Sequence, residues 1–110
     1  MPTASSSLLR IFTDEMAMHG DRSVLDVLVE QAKASKLLGV TVLQGRVGFG
    51  HSRLVHASHF LEHNRPLIVE IVDEDERLRA FVKKIHNIPG IGLVTIASVE
   101  TLLGARVPAA

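Results

Sequence analysis

The sequence predicts an α+β domain of the ferredoxin-like βαββαβ type, a four-stranded antiparallel sheet with two helices on one face. Three observations carry that prediction. Four runs are rich in β-branched and bulky apolar residues, and two amphipathic runs of helical period separate the first from the second and the third from the fourth. A polar, glycine-marked stretch joins the middle pair, where a hairpin connection belongs.

The first strand is Leu8–Thr13 (LLRIFT), preceded by the small, polar residues 1–7. Met16 to Gly20 connects it to a helix. Ser23 with Asp26 three positions on resembles a capping box, with Asp21 as the other candidate cap. Val24, Leu25, Val27, Leu28, Ala32 and Leu38 form the apolar stripe of that helix, and Gly39 stands where a C′ glycine belongs. The second strand follows as Val40-Thr41-Val42-Leu43. After Asn64-Arg65-Pro66 comes the third, Leu67–Val72 (LIVEIV). The second helix places Leu78, Phe81, Val82, Ile85 and Ile88 at i, i+3, i+4, i+7 and i+10. Glu74, Asp75 and Glu76 in its first turn and Lys83, Lys84 and His86 in its last match the helix dipole, so the acidic triplet reads as a helix start. Pro89-Gly90 ends it, and Leu93–Val99 (LVTIASV) is the fourth strand. One domain, residues 8–103, is expected, with residues 1–7 and 104–110 as flexible tails.

Bulk properties narrow the function classes. With 110 residues there is room for one core and not two. Twelve basic residues balance twelve acidic ones, which gives no drive toward nucleic acid or membrane surfaces. The absence of cysteine excludes disulfides, thiolate catalysis and cysteine zinc sites. No secretory leader or membrane-length apolar run is seen, and a cytoplasmic protein is expected.

The third strand is apolar on both faces: Leu67, Val69 and Ile71 on one, Ile68 and Val72 on the other, with Glu70 its one charge. Two helices cover only one face of a sheet, so the other is expected to meet a second subunit, with Arg10 paired to Glu70 there.

The stretch with most chemical content is Gly39–His56, GVTVLQGRVGFGHSRLVH. Gly45, Gly48 and Gly50 follow a strand and lead to His51, Arg53 and His56. Glycines let a ligand approach backbone N–H groups, and consecutive N–H donors with nearby arginines form an anion site. The spacing G-x-x-G-x-G running into a loop differs from the dinucleotide fingerprint G-x-G-x-x-G. The plain alternative is a bulged or turning strand end. Arg46 and Arg53 are the side chains best suited to ligand contact, against the alternative of solvated surface arginines. Phe49 could stack on a base or anchor the turn.

Four of six histidines lie between positions 51 and 63. His56, His59 and His63, at i, i+3 and i+7, would align on a helix and could hold Zn or Cu. Ser58-His59, or His56 with Glu62, could be drawn as acid–base partners, but sequence neighbours are not a positioned set, and no enzyme is expected.

Together, the fold and the glycine stretch resemble the PII signal-transduction superfamily. There the second strand ends in a T-V-x-x-V-x-G-F-G-like run, and Thr41-Val42 and Gly48-Phe49-Gly50 stand in a similar arrangement. From Leu8 to Leu103 the chain looks like the PII-like family known as domain of unknown function 190, with pattern GxTVLxGxxGFG, a later His, then PLxxEIVD. The matching residues are Gly39–Gly50, His56 and Pro66–Asp73. The resemblance implies a homotrimer that binds an adenine nucleotide in clefts between subunits. It places the nucleotide against Gly48, Phe49, Gly50 and His51 and against a glycine turn at Gly90 and Gly92, and the anion-site reading adds Gly45, Arg46 and Arg53 to the expected nucleotide-binding set. Leu93 stands where PII has a phosphate-contacting lysine, which favours AMP or ADP over ATP. The chain has no tyrosine, so PII-type uridylylation cannot occur. Residues 51–65 would form a loop that reports to a partner protein by an order–disorder switch, and the family's company implies a membrane transporter or channel as that partner. The related CutA family implies divalent metal as the alternative ligand, and a ligand-free structural oligomer is the third reading.

Overall fold

The computed structural model describes residues 5–46 and 64–106. Strand β1 is Ser6–Asp14, and a two-rung hairpin follows from β2, Met18–His19, and β3, Arg22–Ser23. Helix α1 spans Val24–Ala34, β4 is Thr41–Gln44, β5 is Pro66–Glu74, helix α2 is Asp75–Ile85 and β6 is Val94–Val99. The main sheet has the order β4-β5-β1-β6, with every neighbouring pair antiparallel. This is the expected ferredoxin-like arrangement of four strands and two helices.

Alternation along the central strands separates the two sheet faces. Leu9 and Ile11 of β1 and Val69 and Ile71 of β5 are fully buried against Val24, Leu28 and Ala32 of α1 and Leu78, Phe81 and Ile85 of α2. Each such side chain contributes about 1.5–3 kcal/mol by leaving water, which makes this layer the main source of stability. The opposite face carries Leu8, Phe12, Ile68, Val72 and Leu43, and at its centre Arg10 Nε donates to Glu70 Oε2 at 2.7 Å. Register explains that pair, because Arg10 and Glu70 are directly opposed across β1 and β5. Leu43 and Val72 on this face stay 45% and 40% exposed, so no described element covers it.

Local signals were read with mixed success. Ser23 is the N-cap of α1, its side chain accepting from the Asp26 N–H at 3.0 Å, and the alternative cap Asp21 is not used. The expected glycine C′ at Gly39 is overturned. Helix α1 ends at Ala34, and Lys36 takes the left-handed position with φ 57°. Lys36 N donates to Lys33 O and Leu37 N to Ala32 O, the two bonds of a Schellman motif. Leu38 consequently falls outside the helix and is 47% exposed rather than part of its stripe. Glu74 belongs to the end of β5 and is the N-cap residue of α2, and Ile88 lies beyond that helix, packed at the edge of the core. The Met16–Gly20 connection contains the short strand Met18–His19.

Three residues assigned to the tails make defined contacts. Ser6 and Ser7 extend β1, and Ser7 Oγ, buried, donates to Asp75 Oδ1 at 2.7 Å, tying the strand to the first turn of α2. Arg106 reaches back to Asp73 at the end of β5.

Candidate functional site

The sheet has two ends, and the described candidate residues gather at one of them. That end comprises the C-termini of β1 and β4 and the N-termini of β5 and β6. Gly45 follows β4 and its N–H donates to Pro66 O at 2.8 Å, closing the β4–β5 ladder. A Cβ on Gly45 would stand 2.6 Å from Pro66 Cγ, so glycine is needed there for the approach of the two strands. Arg46 comes next, and Arg65 Nη1 donates to its carbonyl at 3.4 Å. Two arginines therefore stand side by side where the 47–63 segment leaves and rejoins the sheet.

The turn after β1, residues 14–17, braces this region. Met16 N donates both to Asp14 Oδ1 at 3.0 Å and to Asn64 Oδ1 at 3.1 Å. Glu15 N donates to Arg65 O at 3.0 Å, while the Glu15 carboxylate accepts from Arg65 N at 3.0 Å and from Gln44 Nε2 at 2.7 Å. Asp14 and Asn64 are largely buried, and the described residues hold no buried side-chain polar atom without a partner.

The glycine turn reaches the same end from the other side of β1. Thr13 Oγ1 donates to Gly90 O at 2.8 Å, Phe12 N to Leu93 O at 2.9 Å and Gly92 N to Phe12 O at 2.7 Å. Gly92 and Leu93 thus oppose the single residue Phe12, a β-bulge at the entrance to β6. Gly90 has φ 84°, and a Cβ there would sit 2.7 Å from Ala17 Cβ and 3.3 Å from Val24 Cγ2. The Cβ side of Gly90 is filled by protein, so any ligand must meet this turn through its other faces. From β5 to β6 is two strand spacings, about 10 Å.

Of the sequence-derived candidates, Gly45, Arg46, Gly90 and Gly92 are brought to this one end. Gly48, Phe49, Gly50, His51, Arg53 and the histidines His56, His59 and His63 lie outside the described residues. Among the described residues no group of three His, Asp or Glu side chains gathers to hold a metal ion. Sequence reading missed Glu15, Gln44 and Arg65. For Arg65 the usable signal is its place immediately before Pro66 and β5.

At the opposite end the buried carboxylate is Asp73. Arg106 donates from Nη2 to Asp73 Oδ2 at 2.8 Å and from Nε to Oδ1 at 3.2 Å, and also from Nη2 to Lys36 O at 2.9 Å. Leu38 N and Glu74 N donate to the same carboxylate at 2.9 and 2.7 Å. Burial alone would push the Asp73 carboxyl up. The hydrogen bonds from Arg106, Glu74 N and Leu38 N, aided by the guanidinium charge, outweigh that and hold it below its ordinary value.

An antiparallel sheet of this order under two helices defines a ferredoxin-like fold. The sequence profile of the DUF190 family, described as "Uncharacterized ACR", matches residues 6–101. A protein of Aquifex aeolicus (strain VF5) named "UPF0166 protein" is 34% identical over 107 residues, covering 93% of this chain and 98% of that one. The chain belongs to the DUF190 family, which is a PII-like family.

Proposed function

We propose that the protein is a non-catalytic PII-like regulator that binds an adenine nucleotide, AMP or ADP in preference to ATP, and reports it to a partner protein through residues 51–65. One observation carries the reading: Gly45-Arg46, Arg65 and the Gly90–Gly92 turn converge on one end of the sheet, around the turn that follows β1. Two neighbouring arginines suit a phosphate, which arginine recognises with geometry as well as charge. Leu93 in place of a cation at the start of β6 limits the positive charge available to a triphosphate. The working form in this proposal is a cytoplasmic homotrimer. Support for self-association comes from the uncovered sheet face, where Leu43 and Val72 surround the Arg10–Glu70 pair. The partner class is a membrane transporter or channel. Among the described residues no helix is long and apolar enough to cross a membrane.

Thermal unfolding of untagged protein against AMP, ADP, ATP, Zn and Cu tests the reading. A ligand specific for the native state stabilises it by about 2.7 kcal/mol at a hundredfold excess over Kd. AMP or ADP is expected to raise the midpoint with concentration, and Arg65→Ala to abolish the response. Flat midpoints with every nucleotide would sink the proposal, and a response to Zn or Cu alone would replace it with a histidine metal site. Sedimentation equilibrium of the same samples addresses the trimer; a monomer at working concentration would remove that part.

A further inference from the structure

Glu15 is exposed, yet it is joined to both roots of the 47–63 segment. Its backbone N–H and one carboxylate oxygen hold Arg65 through N···O contacts of 3.0 Å each. The other oxygen accepts from Gln44 Nε2 at 2.7 Å. In the sheet order β1 is next to β5 but not to β4. The Glu15 side chain therefore reaches past its own neighbour and adds a rung between strands that the backbone ladder stops joining at Gly45 and Pro66. Glu15 is no part of the buried core, and its two carboxylate partners, Gln44 and Arg65, are themselves exposed. Surface contacts of this kind contribute little to global stability. They can still fix geometry.

We infer that Glu15 is a positioning residue: it locks the two roots together and so sets where Arg46 and Arg65 stand relative to each other. The inference about ligand binding rests on the anion-binding reading above; the inference about the roots does not. A carboxylate beside two arginines is an odd choice if it acts only through its charge, because it opposes an anionic ligand. Its removal therefore separates two effects of opposite sign. Loss of negative charge strengthens anion binding, whereas loss of the pin weakens it by letting the two roots, and the arginines they carry, separate.

The test compares the parent protein with Glu15→Ala and Glu15→Gln. In the glutamine variant Oε1 can accept from Arg65 N and Nε2 can donate to Gln44 Oε1 once the Gln44 amide turns over, so both links survive without the charge. Amide hydrogen exchange followed by NMR, with no ligand present, reads the pin directly. Glu15→Ala is expected to speed exchange at Arg65 by about tenfold, the loss of a hydrogen bond to a charged acceptor. Exchange at Gly92, whose N–H is bonded to Phe12 O, serves as the reference and stays at the parental rate. Glu15→Gln restores most of the protection at Arg65. The midpoint shift with AMP then falls in Glu15→Ala and survives in Glu15→Gln. Parental exchange at Arg65 in Glu15→Ala overturns the pin. A larger AMP shift in Glu15→Ala shows that charge, not position, is what Glu15 contributes. If the parent itself gives no AMP shift, the nucleotide reading fails, and exchange at Arg65 still decides whether Glu15 locks the roots.

Discussion

The two ends of the sheet are each held by one carboxylate that gathers donors from distant segments, and they differ in how much water surrounds it. At one end the exposed Glu15 joins β1 to Gln44 and Arg65. At the other the fully buried Asp73 joins β5 to Leu38, Glu74 and Arg106. The Glu15 carboxylate accepts two hydrogen bonds and the Asp73 carboxylate four, of similar length. Solvent decides what they are worth: a buried carboxylate that loses its partners cannot exchange them for water, whereas an exposed one can. The buried end holds the fold together, and the exposed end can fix geometry at little cost to global stability.

The largest expected effect follows from that contrast. Asp73→Ala leaves the Leu38 and Glu74 N–H groups without their acceptor and strips Arg106 of its carboxylate partner, leaving it Lys36 O and a 3.6 Å contact to Glu74. A loss of about 3 kcal/mol is expected, the lower end for breaking a buried pair because Arg106 retains some access to water. At about 4 °C per kcal/mol the midpoint would fall by about 12 °C. Glu15→Ala, which breaks two bonds and breaks them in the open, should leave the midpoint within about 2 °C of the parent. Equal losses at the two sites would break the comparison.

Gly90→Ala comes second. It asks an L-residue to hold φ 84° and drives a methyl group to within 2.7 Å of Ala17 Cβ. Strain from the first and overpacking from the second together should cost about 2 kcal/mol, measured by urea denaturation. An unchanged urea midpoint would mean that the Ala17 turn yields easily, and that the braced geometry at the exposed end is softer than its contacts indicate.

A pH series sharpens the account of the buried end. The Asp73 carboxyl is held below its ordinary value in the folded protein. Its contribution is therefore complete above the unfolded-chain value of about 3.9 and is lost as pH falls through the lower folded value. With Arg106→Met the largest opposing influence, burial, gains ground and the folded value rises. The variant should be less stable than the parent at pH 7, and the gap should narrow over the acid range, where the variant's carboxyl takes up its proton at a higher pH than the parent's. Parallel stability curves over that range would show that Arg106 contributes packing rather than charge.

Much of the fold was legible because local rules and tertiary needs agree over most of the chain. The i, i+3, i+4 spacing of Leu78, Phe81 and Ile85 gives α2, and those same residues fill the core. Ser23 caps α1 as its sequence position indicates, and the inward-outward alternation of β5 predicted the Arg10–Glu70 pair. The candidate site was legible only in part. Gly45, Arg46, Gly90 and Gly92 were found from glycine spacing and family resemblance, but Gly45 and Gly90 turn out to need glycine because Pro66 and Ala17 stand against them. Glu15 could not be found in this way. Its role depends on the register that brings Asp14 opposite Pro66, a relation between residues about fifty positions apart with no local pattern. Arg106 was hidden for the same reason, since its partner is far away in sequence and its own surroundings read as tail.

The end of α1 gives the smallest prediction and shows how distant contacts override a local signal. Gly39 is the obvious stop residue, yet its backbone is not left-handed and a Cβ there would meet nothing within 4 Å. The helix instead turns at Lys36, whose carbonyl is held by Arg106, while Asp73 takes the N–H of Leu38 two residues on. These contacts fix the chain in a conformation that costs a lysine about 1 kcal/mol or more. Lys36→Gly removes that strain but adds freedom to the unfolded chain, worth about 0.5–1 kcal/mol in the opposite direction. The net gain should be a few tenths of a kcal/mol, seen as a slightly higher urea midpoint with an unchanged slope. In an Arg106→Met background the demand on Lys36 relaxes, because its carbonyl is no longer held. The same substitution should then give a smaller gain. A gain that is equal in both backgrounds would mean that the helix stops at Lys36 without help from the buried end.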